Sequence, residues 1–395
     1  MIGACEPTFL TRDRFPRTFH AVRVVERSDV RFDTVIAGAG SAGCVLAARL
    51  SENASRRVLL LEAGPDHRVD ALPDALRFLS RPVEWPYEWG DSVTSIRGRR
   101  LDYLRGRCVG GSSATNGGVA MRAEPPDFRA WPAGWGFSEM LPCFRKLEND
   151  LDFGDEDWHG DAGPVPVVRW SRTDWAPLQV AFNDACVAEG FPECPDHNAP
   201  DTTGVGPIPM NRVGLERMSA ARAYLEPARS RDNLTVRGDA LVRRVCFQGR
   251  RVVGVELIDG EVIDAGEVIL CAGVIQNPPL LLRSGVGPAQ RVAALGCEAV
   301  ADVPAVGSNL SDHFVVNFSA PIAPELVPKG SPGLQNILRA TAKGSALPHD
   351  LQLTPWPRRV EGGMELALSV SMQQPVGKGS VGVTSADATR PAVID

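Results

Sequence analysis

The stretch DTVIAGAGSAGCVLAARLSEN, residues 33–53, constrains this chain more than any other. Asp33 to Ala37 reads as a short apolar strand, and Gly38, Gly40 and Gly43 follow it in G-x-G-x-x-G spacing. Ala42, Val45, Leu46 and Leu50 then recur at helical intervals. A second apolar run, RRVLLLEAG (56–64), ends on Glu62, 19 residues after the third glycine. Strand, glycine turn, helix, strand and terminal acid are the parts of a dinucleotide-binding β-α-β unit. The glycines permit a tight turn and close backbone approach, the helix N-terminus at Ser41–Gly43 faces a pyrophosphate, and Glu62 takes a ribose hydroxyl pair. No arginine directly follows Glu62. That argues against a 2′-phosphate and leaves NAD or FAD.

A second stretch asks for the same ligand. GRCVGGSSATNGG (106–118) carries five glycines in thirteen residues and no apolar periodicity. So much bare backbone costs entropy in a helix or strand. A linker would be flanked by polar low-complexity sequence, but this run lies between DYLRGR and VAMRAEPPDFRAW. It reads as a further close approach of backbone to the dinucleotide.

The 395 residues exceed one ordinary core, so two domains are expected. A formal net charge of −6 offers no basic surface to nucleic acid or an anionic membrane. The nine cysteines include no C-x-x-C pair, which argues against zinc. Cys44, Cys246 and Cys271 lie in apolar runs and read as reduced buried thiols, so a cytoplasmic location is expected. The first thirty residues lack the apolar core of a signal peptide and read as poorly structured. Val268–Ile275 is too short to span a bilayer.

Along the chain, SEMLPCFRKLEND reads as a helix capped by Ser138, and a second helix falls near 176–190. Residues 151–217 are otherwise rich in turns. SAARAYLEPARS reads as a helix leading into two strands, NLTVRGDALVRRVCFQGRRVVGVELIDG, joined at Gln248-Gly249. EVILCAGVIQNPPLLLRSGVG reads as a buried strand, a glycine-led turn and a helix, and alternating strands close the chain.

Five blocks in order give the chain a family resemblance: G-x-G-x-x-G with Glu62-Ala63-Gly64, GRCVGGSSATNGGVAMR, SAARAYLEPA, CAGVIQNPPLLLRSGVG and DVPAVGSNLSDH. From about Asp33 to its last residue the chain resembles the glucose–methanol–choline (GMC) family of FAD-dependent oxidoreductases, among which choline-dehydrogenase-like and mycofactocin-associated groups look nearest. The resemblance implies an α/β fold: a Rossmann-like FAD/NAD(P)-binding domain with an inserted α+β substrate domain, an antiparallel sheet flanked by helices. The FAD domain would take 32–150 and 218–313, the substrate domain 151–217 and 314–395, and 1–31 would be an extension. It implies non-covalent FAD held by Gly38, Gly40, Ser41, Ala42, Gly43, Glu62 and Ala63. Arg107, Val109, Gly110, Ser112, Asn116, Gly117, Gly118 and Val119 would line the flavin. Val242 would meet the adenine by backbone, and Ala272-Gly273 would close over the cofactor. The implied reaction is oxidation of an alcohol by hydride transfer to flavin N5, with electrons passed to a quinone or another carrier rather than oxygen.

Three departures qualify the resemblance. Thr115 stands where the family prefers an aliphatic residue and where some members carry a histidine bonded to flavin, which argues against covalent FAD. Val274 and Asn277 replace a small residue and a Ser or Thr. Lastly, the family's catalytic histidine, with its His or Asn partner, lies in a C-terminal segment, whereas this chain stops at RPAVID. His20, His67, His159, His197 and His349 read as structural or solvated, and His313 as structural. No catalytic residue is therefore assigned in the chain. The alternatives are an inactive FAD-binding remnant and a lyase of the same fold, as with the hydroxynitrile lyases.

Overall fold

A computed structural model describes residues 31–79, 87–94 and 100–395. The extension over 1–30 and part of the aromatic EWPYEW cluster lie outside the described residues. Strand β1 (Phe32–Ala37), helix α1 (Ser41–Leu50) and strand β2 (Val58–Leu61) form as the spacing predicts. Every residue of β2 is at most 1% exposed. An unbroken apolar run of this kind needs cover on both faces of its sheet, and it has it. Ile36 and Leu60 pack under α1 with Tyr224 and Leu225. Val35, Leu59 and Leu61 pack on the opposite side with Val255, Leu257 and Leu280.

The sheet continues with β3 (Leu234–Arg237), β4 (Val242–Gln248), β5 (Arg251–Leu257) and β6 (Val262–Leu270), in the order β3-β2-β1-β6-β5-β4. Its first four strands are parallel and its last two antiparallel. Here NLTVRG departs from expectation. It is not the first arm of a hairpin but a separate parallel strand on β2, and the hairpin at Gln248-Gly249 is formed by β4 and β5 alone. Helix α2 (Gly273–Arg283) follows β6.

Other local readings are corrected as well. The helix expected over SAARAYLEPARS forms over 220–228, but its hydrogen bonding is π-helical at Ala221–Leu225 before the α-turn Glu226–Ala228, where Pro227 has no N–H to give the ladder. The helix Phe137–Leu147 is capped by extended Gly136 rather than by Ser138, whose hydroxyl donates to Glu139. Glu148–Asp150 leave that helix as a short strand. Cys44 is buried, but Cys246 and Cys271 are only half-buried.

A second sheet is wholly antiparallel. It runs β7 (Phe314–Ile322), β10 (Gly363–Met372), β9 (Leu351–Val360), β8 (Asn336–Ala340) and the strand Gly204–Pro207. Pro355 and Pro357 sit within β9, where a missing N–H would break a ladder. They are tolerated because β9 pairs with β8 only over Leu351–Leu353. The helix Pro177–Ala188 lies against this sheet. A third, small sheet joins Ser92–Thr94 and Arg100–Asp102 to Ser308–Leu310, Gly379–Gly382 and Val393–Ile394. Residues 379–394 thus pair here and pack on α2 through Ile275, not in the antiparallel sheet.

Candidate functional site

An open groove of about 480 Å³ runs along the carboxyl ends of β1, β2 and β6, marked by Ala37, Leu61 and Leu270. In open α/β sheets this is where ligands bind. The groove is made by backbone closing on backbone. A Cβ on Gly38 would lie 2.5 Å from the carbonyl oxygen of Cys271, and one on Gly43 would lie 1.9 Å from that of Gly38. Neither position admits a side chain. Gly40 differs, because a Cβ there meets nothing closer than Gly111 Cα at 3.9 Å. Its open side faces the groove. At the α1 N-terminus no side chain caps the helix and no acid stands in the first turn. Its leading amides are therefore free to meet an anion.

The glycine run 106–118 closes over this turn. A Cβ on Gly111 (φ +51°) would lie 2.6 Å from Gly40 Cα, so the two glycines meet directly. The Ser112 hydroxyl accepts from the Gly106 amide at 3.1 Å and fastens the loop. Glu62 reaches back under the turn: its carboxylate accepts from the Ala39 amide at 2.9 Å and the Gly64 amide at 3.0 Å. Burial pushes its pKa up to about 7 against the pull of those amides.

The groove gathers Gly38, Gly40, Ser41, Ala42, Glu62, Ala63, Ser112, Val242, Ala272 and Gly273. Gly43, Arg107, Val109 and Gly110 do not line it. Gly43 braces the turn from behind, and the Arg107 guanidinium donates to the Ala63 carbonyl. Asn116, Gly117, Gly118 and Val119 do not line it either. They run toward Leu79, Met210 and Leu334. Several lining residues had no signal in sequence, among them Trp89, Asp91, Arg105 and Arg283. Asn277 gains a role: its side-chain oxygen accepts from the Ala272 amide at 3.0 Å and holds the turn entering α2.

Arg217 was also invisible in sequence. It is 2% exposed and donates to the carbonyls of Leu76, Ala114 and Asn116, so that one guanidinium ties the 112–116 turn to the chain at 76. Burial pulls its pKa down to about 10.

Among the described residues no histidine lines the groove. His159 instead centres a buried charge cluster. Its Nδ1 meets Glu148 at 2.9 Å and its Nε2 meets Asp196 at 2.9 Å, while Arg169 pairs with Asp150 and Asp196 and Arg122 with Glu148. Burial alone would lower the His159 pKa, but the carboxylates overcome it and raise it to about 9. Glu148, Asp150 and His159 lie close enough to hold a metal. With both ring nitrogens turned to carboxylates the imidazole is protonated and has no lone pair to give, so the group is an ion network. His197 lies against Cys194, its pKa lowered to about 3 by burial. His67 packs edge-on to Tyr87, His349 meets Glu124, and His313 is exposed.

The parallel strands, their glycine turn and the acid after β2 define a Rossmann-like dinucleotide-binding fold. Residues 32–315 match the family model described as GMC oxidoreductase. The chain belongs to the GMC oxidoreductase family. It is 39% identical to a GMC-type oxidoreductase from the thcA 5′ region of Rhodococcus erythropolis, over 90% of this chain and 73% of that one. It is 38% identical to the 5-(hydroxymethyl)furfural oxidase of Methylovorus sp. (strain MP688), over 78% of this chain and 61% of the relative. With the oxygen-dependent choline dehydrogenase of Serratia proteamaculans it shares 42% identity, over 72% of this chain and 54% of that enzyme. The chain thus spans about half the length of the choline dehydrogenases it matches. Among solved structures it is similar to pyridoxine 4-oxidase from Mesorbium loti, with a TM-score of 0.83 and 30% identity over 92% of this chain and 75% of the other. No helix among the described residues is long and apolar enough to cross a membrane.

Proposed function

We propose that the groove holds FAD non-covalently and that the protein oxidises a small alcohol, passing the electrons to a quinone or another carrier. The observation that carries this reading is the Gly40–Gly111 contact. Two glycine segments meet there with no side chain between them and leave the open side of Gly40, at the α1 N-terminus, facing the groove. That cradle suits a pyrophosphate. The leading amides of α1 would bind its oxygens, and Glu62 would accept hydrogen bonds from the adenosine ribose. The backbone of Val242 would bound the adenine, and the Asn277-braced turn at Ala272-Gly273 would lie over the middle of the cofactor. FAD supplies the acceptor for the hydride leaving the alcohol carbon. Thr115, which offers no covalent attachment through an imidazole, supports a non-covalent flavin.

The test is the visible spectrum of the purified chain after FAD is added and excess removed. Flavin absorption is expected to persist in the parent chain and vanish in Gly40→Asp, whose carboxylate would repel the pyrophosphate. Retained flavin in that variant overturns the placement. Bleaching of the bound flavin by a primary or secondary alcohol under anaerobic conditions tests the oxidation. A flavin that no alcohol bleaches would keep the binding and remove the turnover.

A further inference from the structure

Among the described residues the buried arginines are Arg169, Arg212, Arg217, Arg283 and Arg339. A buried guanidinium is costly unless its donors are met. Arg169 pairs with Asp150 and Asp196, and Arg339 with Glu124. Arg217 donates to the carbonyls already named, and Arg212 to those of Gly214 and Arg169. Arg283 is the exception. Its Nε donates to the Arg243 carbonyl at 3.0 Å, but no carboxylate or carbonyl takes its two terminal nitrogens. Both nitrogens keep accessible surface. Burial pulls its pKa down to about 10 against the attraction of Asp387, whose carboxylate accepts from the Thr389 amide and hydroxyl.

Helix α2 begins beside the glycine turn, where Gly38 meets Cys271 and Ala272, and ends at Arg283, about 15 Å further along. The Glu62 carbonyl accepts from the Ala240 amide, and Arg283 holds the Arg243 carbonyl. Glu62, Val242 and the Arg283 guanidinium therefore follow one another along the groove. Leu241, Val242 and Leu280 line it there with carbon. The other charges of the groove lie elsewhere: Asp91 accepts from Gln276 in the first turn of α2, and Arg105 adjoins the glycine run. Arg283 also borders a smaller cavity of about 360 Å³ with Arg243, Arg244 and Glu298, but Glu256 already holds the first two. Apolar walls admit a flat ring. A guanidinium offers only donors, in one plane, and the ring nitrogens of adenine accept.

We propose that Arg283 is a specificity-determining residue for the cofactor, donating from its terminal nitrogens to ring nitrogens of the adenine, an inference that rests on the FAD reading of the groove. The test follows FAD affinity, by flavin fluorescence, in the full chain and in Arg283→Met and Arg283→Lys. The methionine variant is expected to bind FAD about tenfold more weakly, the effect of losing a hydrogen bond from a charged donor, and the lysine variant to fall between it and the parent. AMP and ribose 5-phosphate, which differ only by the base, separate recognition from packing. In saturation-transfer NMR, Arg283→Met should lose affinity for AMP and keep that for ribose 5-phosphate. If the parent binds FAD and the methionine variant binds it as tightly, this inference alone is overturned, and the guanidinium is left to the smaller cavity. Equal loss of AMP and ribose 5-phosphate also overturns it, because Arg283 would then only hold the groove in shape. A parent chain that binds no FAD removes the reading of the groove and this inference with it.

Discussion

The two large sheets are built from similar residues and end differently. In the parallel sheet, Val35, Ile36 and Leu60 are at most 1% exposed, with helix or hairpin over each face. In the antiparallel sheet, edge strand β7 is exposed along nearly its whole length, with Phe314 at 64% and Phe318 at 61%. Its other flank is satisfied by β10 and its apolar side chains face solvent. A contiguous exposed apolar strand is unusual on a protein surface. The dinucleotide half therefore draws its stability from its own core. Strand β7 contributes a ladder of hydrogen bonds but little burial.

Four measurements bear on this contrast. The largest effect is expected from Gly43→Val, since even a Cβ lies 1.9 Å from the Gly38 carbonyl oxygen. The turn cannot form, and loss of both flavin binding and the cooperative thermal transition is expected; a variant that retains its flavin would refute the tight turn. Next comes His159→Gln, which removes two charge-assisted hydrogen bonds from a cluster whose carboxylates Arg122 and Arg169 still pair, and should cost about 3–5 kcal/mol in denaturant unfolding. Because the folded pKa of His159, about 9, lies above the ordinary 6.5, its contribution is complete below pH 6.5 and fades as pH rises toward 9. The parent protein should lose stability across that window, and the variant should lose much less. A parallel loss in both would remove His159 from the account.

Leu60→Ala should then cost about 2–5 kcal/mol, as truncation in a close-packed core does. Its counterpart Phe318→Ser should change stability by no more than about 0.5 kcal/mol while lowering the binding of an apolar dye. If Phe318→Ser proves as costly as Leu60→Ala, β7 is covered in solution and the contrast between the sheets fails.

The parts of the fold readable in sequence are those written in local spacing. Gly38, Gly40, Gly43 and Glu62 announce the β-α-β unit because each requirement lies within thirty residues of the others. The strand–turn–helix in EVILCAGVIQNPPLLLRSGVG (267–287) is readable for the same reason, although its strand begins earlier, at Val262. What escapes is set by long-range packing. Nothing near Leu234 in sequence reveals that NLTVRG pairs with β2. The second rim of the groove is equally hidden, since Trp89, Asp91 and Arg283 reach it from separate elements. Arg217 looks like a surface residue until the carbonyls of Leu76, Ala114 and Asn116 converge on it. Asn116–Val119 run on toward Leu79, Met210 and Leu334, contacts that no local spacing announces.

The strand order of the parallel sheet also bears on how the chain is synthesised. Strand β1 is the first described strand to leave the ribosome, and it sits inside the sheet, between β2 and β6. It can pair with β2 at once, but its other edge stays open until Leu270 has been made. Throughout that interval the nascent chain carries an unpaired strand edge ending in the apolar run Val35–Ala37, a template for wrong pairing. The segment that carries the glycine turn is thus made early and completed late, and a chaperone that shields such an edge would act on this half of the molecule.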